Sequence, residues 1–459
     1  MPEKFFVDAK PDRRAVLIDG LLLYRSIAGD EVFRSLQRVL ESIAAPEPSA
    51  REIYRRYHHF VALALRHRWP DYLMELILDD ENNFTEQAAE AGPEGVPPAL
   101  KELAARDLSI LQELARIEPA ELKKTVAVIF KAAGKNIPHD PFHPLNPETW
   151  PEWPAGPVVR EVVEEAGTAA ARLQMYRRRM KEALSGAPQW GALVDELARY
   201  HHRAGCGIFG RYAAFRWQKR PGGGELAGIP NPDPVQLEQL IGLEREKAVI
   251  MENTEHFLSG RPANNIILYG DRGTGKSSTV KALLHAYVSR GLRLVEVARD
   301  DLGDFPSVTR RLAGRPYKFI VFVDDLSFDE TESEYRTLKT VLEGGVEAAA
   351  ENVLIYATSN RRHLIKETFS ERQGDEVHVR DNMEEKLSLA DRFGITVTFP
   401  APDQEGYLKI VEEMAARRGL AVERDELRRL ALHWEMWHHG RSGRTARQFI
   451  DYLTARVKG

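Results

Sequence analysis

A glycine-rich octet ending in lysine and serine is the first stretch of this sequence whose residue types and spacing can do chemistry. Gly270-Asp271-Arg272-Gly273-Thr274-Gly275-Lys276-Ser277 fits G-x-x-x-x-G-K-[ST], and Ser278 follows it. Glycines let the backbone wrap closely and turn N–H groups toward an anion. A helix that starts at the end of such a loop presents its positive N-terminus to the same charge. Lys276 adds a point charge for the β/γ-phosphates of a nucleotide, and the Ser277 hydroxyl suits Mg²⁺. The expected ligands are ATP and Mg²⁺. No Asn-Lys-x-Asp motif for reading guanine is present.

Further polar residues follow at positions where apolar runs end. Phe319-Ile320-Val321-Phe322-Val323 runs straight into Asp324-Asp325. Ligands bind at the carboxyl tips of parallel strands, so both carboxylates are placed for chemistry there. Asp324 is expected to hold Mg²⁺, and Asp325 to polarise an attacking water. Aspartate is one methylene shorter than glutamate, so such a base sits farther from the water and acts more slowly. Asn360, in Thr358-Ser359-Asn360, stands at another strand tip and can hold that water. Arg392, in Asp391-Arg392-Phe393-Gly394, can stabilise charge on a transferring γ-phosphoryl group in a neighbouring subunit. The plainer reading of Arg392 is a surface ion pair. Arg444, in Gly443-Arg444-Thr445-Ala446-Arg447, can reach the phosphates from a C-terminal helical region, with Arg447 as the alternative. A solvated helix face is the plainer reading there.

These residues need a scaffold, and the apolar pattern supplies one. Ile266–Tyr269, Arg293–Ala298, Phe319–Val323, Val353–Thr358 and Thr396–Phe399 read as strands alternating with helices. That alternation implies a parallel sheet covered on both faces. Thr331-Glu332-Ser333-Glu334 is a capping-box pattern that opens one of the helices. The α/β region is expected over 236–400, with a helical lid over 401–459. Residues 1–220 carry helical spacing, as in Ile110, Leu111, Leu114 and Ile117, and read as a mostly α-helical N-terminal domain. A proline-dense connector, 138–157, interrupts it, and its Trp150 and Trp153 point to packing on a surface. Gly222-Gly223-Gly224, with Pro230, Pro232 and Pro234 after it, reads as a linker over 221–235.

Bulk composition fits this scheme. The chain has 459 residues, 43% hydrophobic and 29% charged, with a formal net charge of -5. That balance gives no global pull toward nucleic acid or membrane. A lone cysteine, Cys206, cannot form an internal disulfide, and no signal pattern or spanning apolar run appears. A cytoplasmic location is expected. Arg172, Arg177, Arg178, Arg179 and Lys181 form one basic run, open to contact with nucleic-acid phosphates or to a solvated helix face. His139, Asp140 and His143 lie among prolines that forbid the helix their spacing needs for a metal site.

In their order along the chain these elements resemble the AAA+ superfamily, over about 232–459. The resemblance implies an α/β P-loop NTPase. Its Walker A is 270–277, its Walker B 319–325, sensor 1 is Asn360, the arginine finger Arg392 and sensor 2 Arg444. Leu240-Ile241-Gly242-Leu243 sits where the superfamily contacts adenine, which implies such contacts for Ile241 and Gly242. Phrases such as Asp324-Asp325-Leu326-Ser327-Phe328 and Tyr356–Arg362 resemble a bacterial AAA+ family known only as a domain of unknown function. The paired aspartates resemble the replication-initiator and helicase-loader branch. What the resemblance implies is an ATPase, a homo-oligomer at least transiently, and a macromolecular partner chosen by the N-terminal half. An ATP-gated switch with slow hydrolysis and a P-loop kinase are the alternatives. Asp300-Asp301-Leu302-Gly303-Asp304-Phe305-Pro306 lacks the aromatic-hydrophobic-glycine pore triplet of protein-threading relatives.

Overall fold

Residues with long apolar runs pair where the sequence places them. The computed structural model describes residues 13–65, 67–132, 143–153, 167–221, 223–326, 338, 342, 350–360, 392–438 and 440–457. Seven strands form one sheet: β1 (Ala214–Arg220), β2 (Gly223–Ile229), β3 (Ile266–Gly270), β4 (Leu292–Glu296), β5 (Lys318–Val323), β6 (Val353–Ser359) and β7 (Ile395–Phe399). Their order is β2-β1-β4-β5-β6-β3-β7. All neighbours are parallel except β1 and β2. Central β5 is buried on both faces from Phe319 to Val323, which is why its sequence runs apolar without alternation. Strand β3 lies between β6 and β7, while the chain leaves it to build β4 on the far side of β5 and β6. That reversal opens a crevice at the carboxyl ends of β3, β5 and β6.

The stretch read as a linker, 221–235, is different in the structure. Part of it is β2, the returning arm of an antiparallel hairpin with β1, and β1 pairs in parallel with β4. Gly224 is there for close approach rather than flexibility. A Cβ on Gly224 would fall 1.9 Å from the Trp217 ring, so only glycine lets that indole lie against the neighbouring strand. The Trp217 indole N–H donates to an Asp304 carboxylate oxygen at 3.2 Å. The boundary expected at 220 shifts accordingly. The chain separates into one unit of Met1–Val163 with Leu173–Arg211 and a second of Glu164–Arg172 with Tyr212–Gly459.

In the second unit, α11 (Glu244–Leu258), α12 (Lys276–Tyr287) and α13 (Phe305–Leu312) accompany the sheet. The lid is α14 (Gln404–Arg417), α15 (Arg424–Trp437) and α16 (Gly443–Val457). Tyr407, Val411, Leu427, Ala431, Phe449 and Ile450 form its core, joined by Ile241. The capping box at Thr331 lies outside the described residues.

The regular elements described in the first unit are all helical, from α1 (Arg13–Asp19) through α2 (Glu31–Ala44), α3 (Ala50–Ala64), α4 (Trp69–Asp79), α5 (Asn83–Gly95), α6 (Pro98–Ala115) and α7 (Pro119–Ala132). They continue with most of α8 (Ala169–Gly186), then α9 (Val194–Ala204) and α10 (Gly207–Arg211). In the described part of the proline connector, Trp150 is buried against Tyr57, and Trp153 meets Phe60 edge-on. His139 and Asp140 lie outside the described residues. Among those described, no helix is long and apolar enough to cross a membrane.

Part of the basic run is engaged within the protein. Arg177 is buried and donates to Glu75 and to Asp79, the latter at 2.7 Å, while Lys181 pairs with Glu75 at 2.9 Å. Arg172 donates to the His285 carbonyl at 3.1 Å. Two of the five basic residues, Arg177 and Lys181, thus pair with carboxylates of the same unit, while Arg178 and Arg179 are exposed.

His201 on α9 is fully buried, and its Nδ1 bonds the Gly205 carbonyl at 3.0 Å. Burial pushes its pKa down from 6.5 to about 4. Its contribution to stability is complete above pH 6.5 and is lost as pH falls through 4, because the unfolded chain takes up a proton that the folded one refuses. The expected loss is about 3 kcal/mol. Urea unfolding at pH 7.5 and at pH 4 checks it, with His201→Gln removing this component of the pH dependence.

Candidate functional site

The glycine octet forms the turn between β3 and α12. Gly270 closes β3 at φ 148°, and a Cβ there would lie 2.2 Å from the Phe399 carbonyl oxygen on β7. Any side chain would therefore push the loop off the sheet. The Thr274 hydroxyl donates back to the Asp271 carbonyl at 2.9 Å and fixes the turn. Gly275 is the left-handed N-cap of α12 and has no side chain to cap it. An α-helix leaves its first N–H groups outside its own ladder. Here they belong to Lys276, Ser277 and Ser278, and the first turn carries no acid. Such an end is built for an anion.

Lys276 is buried under this loop. Its Nζ donates to the carbonyls of Gly270 and Asp271 at 2.6 and 2.8 Å, and to Asn360 Oδ1 at 3.0 Å. Burial lowers its pKa, opposed by the nearby charges of Asp324, Asp271 and Asp325. Asn360 donates in turn through Nδ2 to Asp325 Oδ1 at 2.6 Å. Ser277 Oγ donates to Asp324 Oδ1 at 2.6 Å. The three strand tips named by the sequence therefore meet: the loop after β3, the acid pair after β5 and the asparagine after β6. Asp325 is the one non-glycine residue with positive φ among those described, at 55°. Arg272 approaches its other carboxylate oxygen at 3.9 Å, with both groups largely exposed.

A cavity of 860 Å³ opens over this cluster. Arg272 through Ser278 line it, with Asp324, Asp325 and Asn360. Ile241 and Gly242 line it from the segment ahead of α11, where the Gly242 N–H donates to Glu244 at 3.2 Å. Arg444 and Arg447 line it from the lid, and the Arg444 N–H reaches the Gly273 carbonyl at 3.4 Å. Arg392 stands in the turn ahead of β7, half-buried, and is not among the lining residues. Lys281 and Thr358 are among the lining residues that the sequence did not single out. Lys281 lies five residues beyond Lys276 on α12, a spacing that puts the two on different faces and gave no signal. Thr358 gave no signal beyond its place at a strand end.

The donor set fits the expected ligands. Ser277 and Asp324 offer hard oxygens side by side, as Mg²⁺ prefers. Lys276 and the helix end offer positive charge to phosphate.

A parallel sheet, a glycine loop running into a buried lysine, an acid pair on a neighbouring strand tip and a helical C-terminal lid together define an AAA+ P-loop nucleotide-binding fold. Residues 210–457 match the family described as "Protein of unknown function (DUF815)", and the chain belongs to that family. No match was found among curated proteins. Among solved structures the chain is similar to the Thermotoga maritima RuvB Holliday junction branch migration motor, at 16% identity and TM-score 0.33, covering 49% of this chain and 67% of that one. A mutant of that RuvB matches at 14% identity and TM-score 0.34, with coverage of 49% and 67%.

Proposed function

We propose that this chain binds Mg·ATP at the carboxyl edge of its sheet, hydrolyses it, and uses the cycle to remodel or load a macromolecular partner. The observation that carries this reading is the meeting of Lys276, Ser277, Asp324, Asp325 and Asn360 within hydrogen-bond reach beneath one cavity. Lys276 and the first turn of α12 would bind the phosphates, and Ile241 and Gly242 would face the base. Ser277 and Asp324 would hold Mg²⁺, which when bound supplies charge neutralisation at the phosphate oxygens. Asp325 would accept the proton of the attacking water, and Asn360 would orient that water. Arg444 would reach the phosphates from the lid, and Arg392 would act on a neighbouring copy. The first helical unit would select the partner.

A second reading is an ATP-gated switch with slow hydrolysis that a partner accelerates. It is favoured by Asp325 being engaged before any water arrives: Asn360 Nδ2 holds one carboxylate oxygen at 2.6 Å and Arg272 approaches the other at 3.9 Å.

The shared-site component has a direct test. Arg392→Ala and Lys276→Ala are each expected to lose turnover, by about 10³-fold for the missing arginine. Mixed, they should regain phosphate release, because a Lys276→Ala subunit still offers Arg392 to a neighbour that binds ATP. Proven co-assembly with no recovery would sink the assignment in trans. Phosphate appearing on an acceptor rather than free in solution would replace hydrolysis by a kinase reaction.

A further inference from the structure

The acid pair is held by a residue outside the glycine loop and the acid pair themselves. Thr358 is the penultimate residue of β6 and is buried. Its hydroxyl donates to Asp324 Oδ1 at 2.6 Å and accepts the Asp325 backbone N–H at 2.9 Å. Its carbonyl accepts the Leu326 N–H at 2.7 Å. Thr358 therefore grips the chain on each side of the left-handed Asp325 and touches the carboxylate just before it. A hydroxyl has a single proton, so accepting from Asp325 directs that proton to Asp324. Asp324 Oδ1 also accepts from Ser277, so its orientation is fixed from the end of β6 and the start of α12 at once.

The circuit closes on itself. It runs from Lys276 to Asn360, to the Asp325 side chain, through the Asp325 backbone to Thr358, to Asp324, and back to Ser277, the neighbour of Lys276. Asn360 lies two residues after Thr358, so one strand end sets both halves. Backbone in the left-handed region persists for a non-glycine residue only where its surroundings over-determine it. Thr358 and Asn360 are those surroundings.

Resting on the ATPase reading above, we infer that Thr358 is a positioning residue for hydrolysis: its hydroxyl orients the Asp324 carboxylate that would hold Mg²⁺ and locks the turn that aims Asp325. Supporting contacts one step removed from a metal ligand typically alter metal affinity or activity by 10–100-fold. Thr358→Val keeps the shape and removes the hydroxyl. Its expected result is a kcat lower by about 10–100-fold and a Mg²⁺ requirement for nucleotide binding raised by about 10-fold, with metal-free ATP binding unchanged. Thr358→Ser restores the hydroxyl and is expected to return both values to within about 3-fold of wild type. A merely structural threonine would lower thermal stability without moving the Mg²⁺ requirement. Wild-type kcat and Mg²⁺ requirement in Thr358→Val would overturn the inference. Should that variant fail to fold, Thr358→Ala carries the same expectation. Should the wild-type chain release no phosphate at all, the ATPase reading fails by itself. Thr358 is then judged on the Mg²⁺ dependence of binding a fluorescent ADP, where an unchanged requirement again overturns it.

Discussion

Replacing Lys276 by alanine is expected to weaken ATP binding by about 10²- to 10³-fold, beyond detection at micromolar nucleotide. The ammonium is buried, and its three donors converge on two loop carbonyls and Asn360. Removing a buried, hydrogen-bonded charge from a binding site costs about 2–5 kcal/mol, and each 1.4 kcal/mol is about tenfold in affinity. The fold should survive, because Lys276 itself lines the cavity and its removal lets water reach the freed carbonyls. Isothermal titration with Mg·ATP, beside a thermal melt, separates the two effects. Lys276 also predicts a pH dependence. Burial brings its loss of charge to lower pH than in an ordinary lysine, and phosphate favours the charged form. Affinity should therefore begin to fall at a lower pH than an unperturbed lysine would set, and Lys276→Arg should delay that fall.

The second large effect is at Asp325. Asparagine there keeps an oxygen for the Asn360 amide and, like aspartate, tolerates a left-handed backbone. What it lacks is the proton-accepting carboxylate. General-base catalysis contributes about 10²–10⁴-fold, so Asp325→Asn should lose that much of kcat while its ATP affinity stays within about threefold. Single-turnover phosphate release measures the first and titration the second. Hydrolysis at the wild-type rate would remove Asp325 from the base role. The same variant, trapped on ATP, is the form in which to look for a partner of the helical unit.

Parts of this site were open to reading because local pattern and tertiary structure agree. The octet from Gly270 to Ser277 needs only its own glycines and the helix after it, and both are local. Asp324 and Asp325 were legible because a strand buried on both faces announces its own end. Asn360 followed by the same logic. The hairpin of β1 and β2 was not legible. Ala214–Arg220 mixes aromatic and charged residues, and the meaning of Gly224 depends on a ring seven residues away in the chain. The pairing of Arg177 and Lys181 within the basic run of α8 was not legible for a related reason. Their partners, Glu75 and Asp79, lie about a hundred residues upstream, where no sequence period connects them. Thr358 was invisible because a threonine at a strand end is ordinary until a turn from another strand closes over it. Arg392 is described only in place, because 361–391 lies outside the described residues.

The left-handed backbone at Asp325 restricts how this position can drift. Few residues besides glycine occupy such a conformation readily, chiefly asparagine and aspartate, whose short polar side chains bond locally. Glutamate gains a methylene toward the water but gives up that local bond. The shorter acid is thus chosen by the chain's geometry before any demand of catalysis. Of the substitutions the backbone accepts, asparagine and glycine both lack a carboxylate. On the ATPase reading proposed above, a single mutation here would silence hydrolysis without unfolding the chain, whereas a longer acid would require the turn itself to be rebuilt.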